Sequence, residues 1–166
     1  MDRRTNIINH TVFEFSQSAN IIYIFGGMIM QIKNCSFEDI LSLAEMNQQL
    51  IEDEKAETNL NMQQLEERMK EFISSEYRAF IFYENKKIIG YALCNMFKKP
   101  VYLRQFFICR GERRKGYGKQ AFNELLDYLN IREIDIDVYA WNKTGVAFWK
   151  SLGFEKRCYS MRYKSK

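Results

Sequence analysis

The sequence contains very few of the residues from which metal centres and histidine-based active sites are built. Its 166 residues include a single histidine, His10, so we expect neither a Ser–His–Asp triad nor a histidine-rich metal site. No Cys-x-x-Cys pair occurs among its cysteines, which are Cys35, Cys94, Cys109 and Cys158. Isolated cysteines of this kind predict reduced thiols in a cytoplasmic protein and no metal ligand set.

Long apolar runs are also missing. The run Ile21–Phe25 stops at Gly26 and Gly27, far short of the ~20 residues that span a bilayer, so no membrane association is expected. Arg3 and Arg4 precede this run, but no small-residue cleavage site follows it. We expect residues 1–27 to be an N-terminal extension, either an added strand or a flexible arm, and the folded domain to cover residues 28–166.

The chain is rich in the residues that build a core. Hydrophobic residues make up 46% and aromatic residues 15% of it, which predicts a packed globular protein with one sizeable core. Its net charge of +4 is mild. A nucleic-acid partner would rest only on the basic tail over residues 156–166 and is not expected. The clustering of the basic residues is better explained by a small polyanionic ligand.

From residue 28 on, strand and helix patterns alternate. Runs rich in β-branched and aromatic residues predict strands over residues 28–33, 78–83, 87–97, 101–108 and 134–138, with a last strand or hairpin over 154–164. Apolar residues at helical spacing predict helices capped by Ser36, Asn61 and Asn142 and another over 118–130. Residues 101–139 form a strand–helix–strand unit, which predicts a parallel pair, whereas the short turns before it predict antiparallel strands. The expected fold class is therefore α/β, with a mixed, mostly antiparallel sheet, a central parallel strand pair and helices on both faces.

A basic, glycine-bearing loop joins the strand over 101–108 to the helix after it. Gly116 and Gly118 stand at the predicted helix start, where main-chain N–H groups have no partner within the helix and the helix dipole is positive. Glycine leaves room for a close approach of the backbone to a ligand. The cations around it are Arg113, Arg114, Lys115 and Lys119. Together these features predict an anion-binding site, most simply for a diphosphate.

Two motifs, in this order, resemble those of the GNAT acyl-CoA-dependent N-acetyltransferases. Arg113-Arg114-Lys115-Gly116-Tyr117-Gly118 is similar to the family's Arg/Gln-x-x-Gly-x-Gly/Ala motif, which also follows a strand. Residues 142–154 are similar to the family's Asn…Ala…Phe-Tyr…Leu-Gly-Phe segment. The resemblance covers about residues 28–164 and implies a single-domain GNAT fold over residues 28–166.

The resemblance implies that acetyl-CoA is the co-substrate and that the acetyl group passes directly to a primary amine of a small molecule or peptide within a ternary complex. Main-chain N–H groups of the loop would hold the pyrophosphate, and exposed backbone at residues 106–108 would pair with the pantetheine amides. The expected cofactor-binding residues are Phe106, Phe107, Ile108, Arg113, Arg114, Lys115, Gly116, Tyr117, Gly118, Lys119, Asn142, Phe148 and Trp149. The sequence is compatible with a homodimer and does not specify the oligomeric state.

Four residues are candidates for a part in catalysis. Glu52 and Glu54 lie in a polar connection predicted to follow the first helix after Leu50. By resemblance this segment borders the acceptor pocket, where an acid either accepts the proton of the amine or holds a cationic acceptor; the alternative is a solvated loop. Arg104 lies on the strand where many relatives carry a carboxylate, and it either meets an acceptor carboxylate or points outward. Trp149 takes the place of a tyrosine that often protonates the leaving thiolate, and since an indole is no usable acid, it either orients the sulfur or packs in the core.

Two other interpretations of these motifs were weighed. Residues 116–121 also satisfy the pattern G-x-G-x-x-A of dinucleotide-binding folds, with Asp135 or Asp137 as the ribose-binding acid. A long loop separates this pattern from the strand, however, and too little chain follows it for a second nucleotide-binding half. The other interpretation is a catalytically weak module that binds acyl-CoA and acts in regulation, because Trp149 and Arg104 replace the usual tyrosine and acid. Cys109, whose pKa the neighbouring cations are expected to lower, is interpreted as a structural thiol.

Overall fold

The computed structural model describes residues 21–25, 28–163 and 165. Its centre is a sheet in which strands that follow one another in sequence are also neighbours in space. The strands are β1 (Ile21–Phe25), β2 (Met28–Asn34), β3 (Tyr77–Glu84), β4 (Lys87–Asn95), β5 (Val101–Ile108) and β6 (Ile134–Ile136). Every neighbouring pair is antiparallel except β5 and β6, which are parallel. The predicted mixed, mostly antiparallel sheet is thereby confirmed.

Helices cover both faces of this sheet, as predicted. They are α1 (Ile40–Glu54), α2 (Met62–Ile73), α3 (Tyr117–Leu129) and α4 (Lys143–Ser151). Helices α1 and α2 bury their apolar residues against one face, where Tyr91, Leu93 and Phe107 are fully buried or nearly so. Helices α3 and α4 pack on the other face against residues such as Phe80 and Phe82. We call these the α1/α2 face and the α3/α4 face.

Side-chain caps begin two of these helices where the sequence predicted them. The Asn61 side chain accepts a hydrogen bond from the main-chain N–H of Gln64 at 2.9 Å, and the Gln64 side chain returns one to Asn61. The Asn142 side chain accepts from the N–H of Gly145 at 2.9 Å. A cap of this kind satisfies an N–H group that has no partner inside the helix. Ser36 begins a short 3-10 turn, Phe37–Asp39, which leads into α1.

The structure differs from the sequence predictions at two helix or strand ends. Helix α1 continues to Glu54 and ends at Lys55 in the left-handed conformation, so Glu52 and Glu54 lie in its last turn and not in a connection. No strand forms over residues 154–163, contrary to the prediction, and Lys164 lies outside the described residues. These residues are exposed from Glu155 onward, so the segment has no buried face that would fix a strand against the sheet. The parallel pair therefore lies at one edge of the described sheet.

Strand β5 carries a bulge that shapes its end. Leu93 pairs with Gln105, but the next residue of β4, Cys94, pairs with Leu103, so Arg104 has no partner on β4. A bulge of this kind bends its strand and increases the local twist. Beyond it, β5 runs on to Ile108, whereas the pairing with β6 ends at Leu103 and Ile136. The two parallel strands thus separate beyond Leu103, and we call the space between them the strand gap.

Candidate active site

The main chain of β5 is open towards the strand gap. The N–H of Cys109 donates to the carbonyl of Ile89 on β4 at 2.8 Å, and hydrogen-bonded pairs alternate along an antiparallel ladder. By this alternation Phe107 directs its main-chain groups at Tyr91 on β4, while Phe106 and Ile108 direct theirs into the gap. An extended ligand can therefore pair with Phe106 and with the N–H of Ile108 as an added strand would, whereas the Ile108 carbonyl accepts a hydrogen bond from Arg113. The sequence predicted the same role for all three residues 106–108, because the pairing of β5 with β4 cannot be derived from the sequence of β5 alone.

The start of α3 lies beside this open edge. Gly116 precedes the helix with φ of +90°, a conformation that glycine adopts without strain. A Cβ built on Gly118 would lie 3.0 Å from the ring of Phe148 on α4 and 3.8 Å from Ile108 on β5. The fold therefore brings the glycine loop, the end of β5 and the second half of α4 together around one groove. Its free helical N–H groups and positive dipole suit an anion.

The loop cations predicted to surround this anion fall into two groups. Lys115 donates to the buried carboxylate of Glu112 at 2.9 Å, and Arg113 donates to the carbonyl of Ile108 at 2.8 Å. Arg114 and Lys119 have no hydrogen-bond or ion-pair partner among the described residues. Arg114 and Lys119, rather than Arg113 and Lys115, are therefore the cations left available for a bound phosphate.

Asp53 ties the end of α1 to this loop. Its carboxylate accepts hydrogen bonds from the guanidinium groups of Arg110, at 2.7 Å, and of Arg113. Arg110 also donates to Glu52 at 2.8 Å and to the carbonyl of Gln49. Partial burial opposes ionisation of Asp53, but the two arginines outweigh it, so the pKa of Asp53 is lowered. We call Asp53, Arg110 and Arg113 the loop clamp; nothing in the sequence pattern pointed to it, since the partners lie far apart in the chain.

Trp149 lies in an aromatic cluster on the α3/α4 face. Its ring centroid is 5.2 Å from that of Phe106, 5.6 Å from Phe122, 4.8 Å from Phe148 and 5.1 Å from Phe154. We call these five residues the aromatic cluster. Such contacts at edge-to-face geometry are those of a packed core side chain. Of the two interpretations of Trp149 that the sequence left open, the geometry favours packing.

Two other predicted cofactor residues are held by well-defined contacts. Phe148 stacks on Phe106 with ring planes 18° apart, and its ring faces Gly118 at the start of α3. Tyr117 is buried, and its hydroxyl donates to Glu84, which raises the pKa of Tyr117 to about 12. The side chain of Tyr117 is therefore engaged in the core, and only its main-chain N–H is available at the helix start.

On the α1/α2 face, the bulge places Arg104 beside an aromatic pair. The Arg104 guanidinium carbon lies 5.2 Å from the centre of the Phe72 ring and 5.9 Å from that of Tyr77. Arg68 on α2 approaches the same Phe72 ring at 5.6 Å. Burial lowers the pKa of Arg68, and the charge of Arg104 lowers it further. The sequence singled out Arg104 but not Arg68, because their proximity depends on how α2 packs against the sheet.

A buried polar chain runs beneath this region. The Asn47 amide donates to the hydroxyl of Tyr91 at 3.1 Å, and that hydroxyl donates to the side-chain oxygen of Gln105 at 3.1 Å. Tyr91 is fully buried, and burial raises its pKa. This chain links α1 to β5 through β4 and fixes the orientation of Gln105. Sequence reasoning missed it, because an Asn, a Tyr and a Gln in three separate elements carry no local pattern.

The two acids proposed from the sequence have different environments. Glu52 is half-exposed and paired with Arg110, so its charge is engaged by the loop region. Burial raises the pKa of Glu54, and the charge of Asp53 raises it further. The main-chain carbonyl of Glu54 accepts a hydrogen bond from the indole of Trp141 at 3.0 Å. Of these two acids, only Glu54 is partly buried and has a side chain without a cationic partner among the described residues.

Burial raises the pKa of Cys109 and outweighs the effect of the neighbouring cations, contrary to the expected lowering of this pKa.

No group of three or more His, Cys, Asp or Glu side chains is placed to hold a metal ion in the described part. Within the same residues, no helix has the length and apolar character needed to cross a bilayer.

Comparison with protein-family models gives a match over most of this fold. Residues 38–154 match the model described as the acetyltransferase (GNAT) family. The matched range begins in the turn before α1 and ends just after α4. It therefore contains the glycine loop, the strand gap and both helix pairs.

Solved structures with the same fold include several acetyltransferases. A possible acetyltransferase from Clostridium difficile 630 superposes with a TM-score of 0.67 at 17% identity, covering 82% of this chain and 97% of that one. A predicted acetyltransferase from Clostridium acetobutylicum, solved with acetyl-CoA, has a TM-score of 0.62 at 17% identity, with 81% and 96% covered. An aminoglycoside N-acetyltransferase in complex with CoA has a TM-score of 0.64 at 18% identity, with 87% and 99% covered. At these identities the likeness concerns the fold.

Proposed function

Because the chain belongs to the GNAT family of acetyltransferases, which use acetyl-CoA, we propose that it is an N-acetyltransferase acting on a primary amine of a small molecule or peptide. The acetyl group passes directly from acetyl-CoA to the amine while both are bound. The observation that carries this proposal is the groove in which the open edge of β5 meets the N-terminus of α3. An aminoglycoside N-acetyltransferase among the structural neighbours acts on amines, which supports an amine as the acceptor.

The groove on the α3/α4 face fits the parts of acetyl-CoA. The pyrophosphate suits the main-chain N–H groups after Gly116, with Arg114 and Lys119 as the free cations. The pantetheine arm carries amides that can pair with the open main chain of Phe106 and with the N–H of Ile108. Gly118 matters here because any larger residue would press on Phe148 and narrow the groove.

The reaction consists of one bond exchange and the loss of two protons from the nitrogen, one before the attack and a second as the amide forms, which passes to the departing thiolate or to water. The lone pair of the neutral amine attacks the thioester carbonyl, the C–N bond forms, the C–S bond breaks, and coenzyme A leaves as its thiolate. An ordinary amine of pKa near ~10.4 is mostly protonated at pH 7, so a proton must first be removed. Glu54 is the proposed acceptor of this proton, directly or through water, because burial raises its pKa, whereas the carboxylate of Glu52 is paired with Arg110. Holding both reactants in the gap supplies most of the acceleration.

The test is a titration with acetyl-CoA combined with an assay of free thiol on a panel of primary amines. We expect binding to acetyl-CoA and thiol release with at least one acceptor. The double variant Arg114→Gln/Lys119→Gln should bind acetyl-CoA at least about tenfold more weakly, since two charge-assisted contacts are lost. Arg132→Gln, which removes an exposed charge from the turn before β6, is the matched control and should leave binding unchanged. A chain that does not bind acetyl-CoA would contradict the proposal.

The second candidate is an acyl-CoA-binding regulatory module without turnover. It is favoured by one observation: the packing of Trp149 in the aromatic cluster leaves no tyrosine at that position to protonate a leaving thiolate. Binding of acetyl-CoA without thiol release across the whole panel would identify this case. A coenzyme A thiol is acidic enough to leave as its thiolate, so the first proposal is preferred.

We also propose that the protein acts in the cytoplasm. All four cysteines are unpaired, and burial raises the pKa of Cys35 and of Cys94 to about 12 in each case. Buried thiols of this kind resist oxidation and are typical of proteins in a reducing compartment. A homodimer is the oligomeric state we would test first, by light scattering of the purified chain.

A further inference from the structure

We propose that Arg68, Arg104 and Gln105 form a binding site for a carboxylate of the acceptor, so that the substrate carries both an amine and a carboxylate, as amino acids and short peptides do. This inference rests on the proposed N-acetyltransferase function and specifies its substrate class. We call Arg68 and Arg104 the arginine pair.

The arginine pair brings two positive charges together without a counterion. Both guanidinium groups approach the ring of Phe72, at 5.6 Å and 5.2 Å. Neither has a carboxylate or carbonyl partner among the residues that the structure describes. Arg68 is also half-buried. Two neighbouring cations, one of them partly removed from water, are unfavourable unless a ligand supplies the opposite charge.

Other cations of the described chain show what the pair lacks. Arg110 meets Asp53 and Glu52, and Lys33 meets Asp39 at 3.0 Å. These contacts hold the charged groups in place through carboxylates of the protein itself. At the arginine pair, the ring of Phe72 positions both groups while their hydrogen-bonding edges stay free.

Gln105 adds an unpaired donor next to Arg104. The residue as a whole is only 9% exposed, and its side-chain oxygen accepts from the Tyr91 hydroxyl at 3.1 Å. Because Tyr91 in turn accepts from Asn47, the amide of Gln105 is held with its oxygen towards Tyr91 and its NH2 group turned away. That NH2 group has no hydrogen-bond partner in the described part of the chain. The nitrogen of this NH2 group retains accessible surface, so it can donate to a ligand with acceptor atoms.

The position of this site agrees with an acceptor entering from the α1/α2 face. The groove for acetyl-CoA lies on the opposite face, with Phe106 in its aromatic cluster. Arg104 precedes Phe106 by two residues on β5, a distance of about 7 Å along a strand. The strand gap begins just before Arg104, beyond the last β5–β6 pair at Leu103 and Ile136, so both residues lie along it. A molecule bound by its carboxylate at the arginine pair can therefore direct its amine into the gap from one side while the thioester enters from the other.

Carboxylate is the favoured chemistry because guanidinium groups bind it through two parallel hydrogen bonds. The same two charges oppose polycationic acceptors such as aminoglycosides. This chain is therefore expected to differ in acceptor from the aminoglycoside N-acetyltransferase whose fold it shares.

The experiment compares acceptors that differ only in the carboxylate. Amino acids and dipeptides are assayed beside their carboxamides, by thiol release at saturating acetyl-CoA, with the full chain and with Arg104→Gln, Arg68→Gln and Arg104→Lys. In the unsubstituted chain kcat/KM should favour the carboxylates by about tenfold or more, since charge-assisted bonds are lost in the amides. Both glutamine variants should reduce this ratio, mainly through KM, and Arg104→Lys should restore only part of it. Comparing the ratio between variants removes the effect of the different amine pKa values.

Arg78→Gln is the matched control. Arg78 lies on β3, where neighbouring residues alternate between faces: Ala79 packs on the α1/α2 face and Phe80 on the α3/α4 face. Arg78 thus points to the face opposite the arginine pair, and its loss should leave the ratio unchanged. Thiol release without a preference for carboxylates, or a preference that survives both glutamine variants, would overturn the carboxylate site while leaving the acetyltransferase intact.

A binding measurement covers a chain that turns over no acceptor in the panel. Thermal shifts are then recorded with coenzyme A present, and glycylglycine is compared with its amide. A larger shift with the carboxylate, lost in Arg104→Gln, upholds the site. Equal shifts, or none with either compound, overturn it. Absence of acetyl-CoA binding would be a separate result, and it would contradict the proposed function itself.

Discussion

At the scale of single residues, Gly118 keeps the start of α3 open because the ring of Phe148 lies directly opposite it. Any side chain there would press on Phe148, whose ring carbons lie 3.0 and 3.2 Å from the built Cβ position. We therefore predict that Gly118→Val weakens acetyl-CoA binding by about tenfold or more, since it narrows the groove at the helix start. Calorimetric titration with acetyl-CoA measures this.

Gly111 offers the matched control for this change. A Cβ at Gly111 meets nothing within 4 Å, so Gly111→Val adds the same atoms to the segment before α3 without filling the groove. Equal loss of affinity in both variants would mean that loop conformation, and not the contact with Phe148, governs binding.

At the scale of elements, the loop clamp joins the last turn of α1 to the glycine loop. Arg110 and Arg113 each donate to the Asp53 carboxylate, so the loop is held before any ligand arrives. We predict that Asp53→Asn weakens acetyl-CoA binding several-fold, because the loop must then be ordered at the moment of binding. Titration with acetyl-CoA checks this, with Asp127→Asn on the exposed side of α3 as the control of equal charge.

The stability that the loop clamp contributes depends on pH, and the pKa of Asp53 determines the direction of this dependence. The pKa of Asp53 is lowered in the folded chain, below the value near ~3.9 of an unfolded aspartate. Its contribution to stability is therefore fully present above about pH 3.9 and is lost as the pH falls through the lower, folded value. Urea unfolding of the unsubstituted chain and of Asp53→Asn should differ by a constant amount between pH 5 and 7. A difference that grows on acidification would contradict the assignment.

At the scale of the whole molecule, the aromatic cluster fixes α4 to the rest of the fold. Trp149 and Phe148 come from α4, Phe122 from α3 and Phe106 from β5. We predict that Trp149→Ala lowers the free energy of unfolding by about 2 kcal/mol, since the deleted side chain packs against four other rings but is only partly buried. Trp149→Phe should keep turnover within about threefold, since packing is what the position requires. Urea unfolding and the thiol assay provide the two measurements. A large fall in kcat for Trp149→Phe, with stability retained, would instead assign the indole a part in the chemistry.

Much of the fold could be read from local patterns. Spacing and short-range hydrogen bonding, which neighbouring residues determine, predicted the bounds of β5 and the Asn61 and Asn142 caps. They also predicted the parallel pair whose two strands precede and follow the glycine loop. The last turn of α1 was missed, because its Glu-Asp-Glu run looks like a solvated connection. In the fold, it is held by arginines more than fifty residues further along the chain. The last strand was predicted wrongly, since an alternating pattern over 154–163 does not by itself provide a neighbouring strand.

The sequence by itself determined the glycine loop, the helix start behind it and hence the expectation of a bound diphosphate, since these are interactions between adjacent residues. Only the tertiary structure decided which cations remain free, which face of β5 each side chain takes and which arginine stands beside Arg104. The bulge at Arg104 and the packing of α2 bring Arg68, Phe72 and Gln105 together from three elements. Contacts between residues so far apart in the chain depend on how helices settle on the sheet, and no local pattern records that.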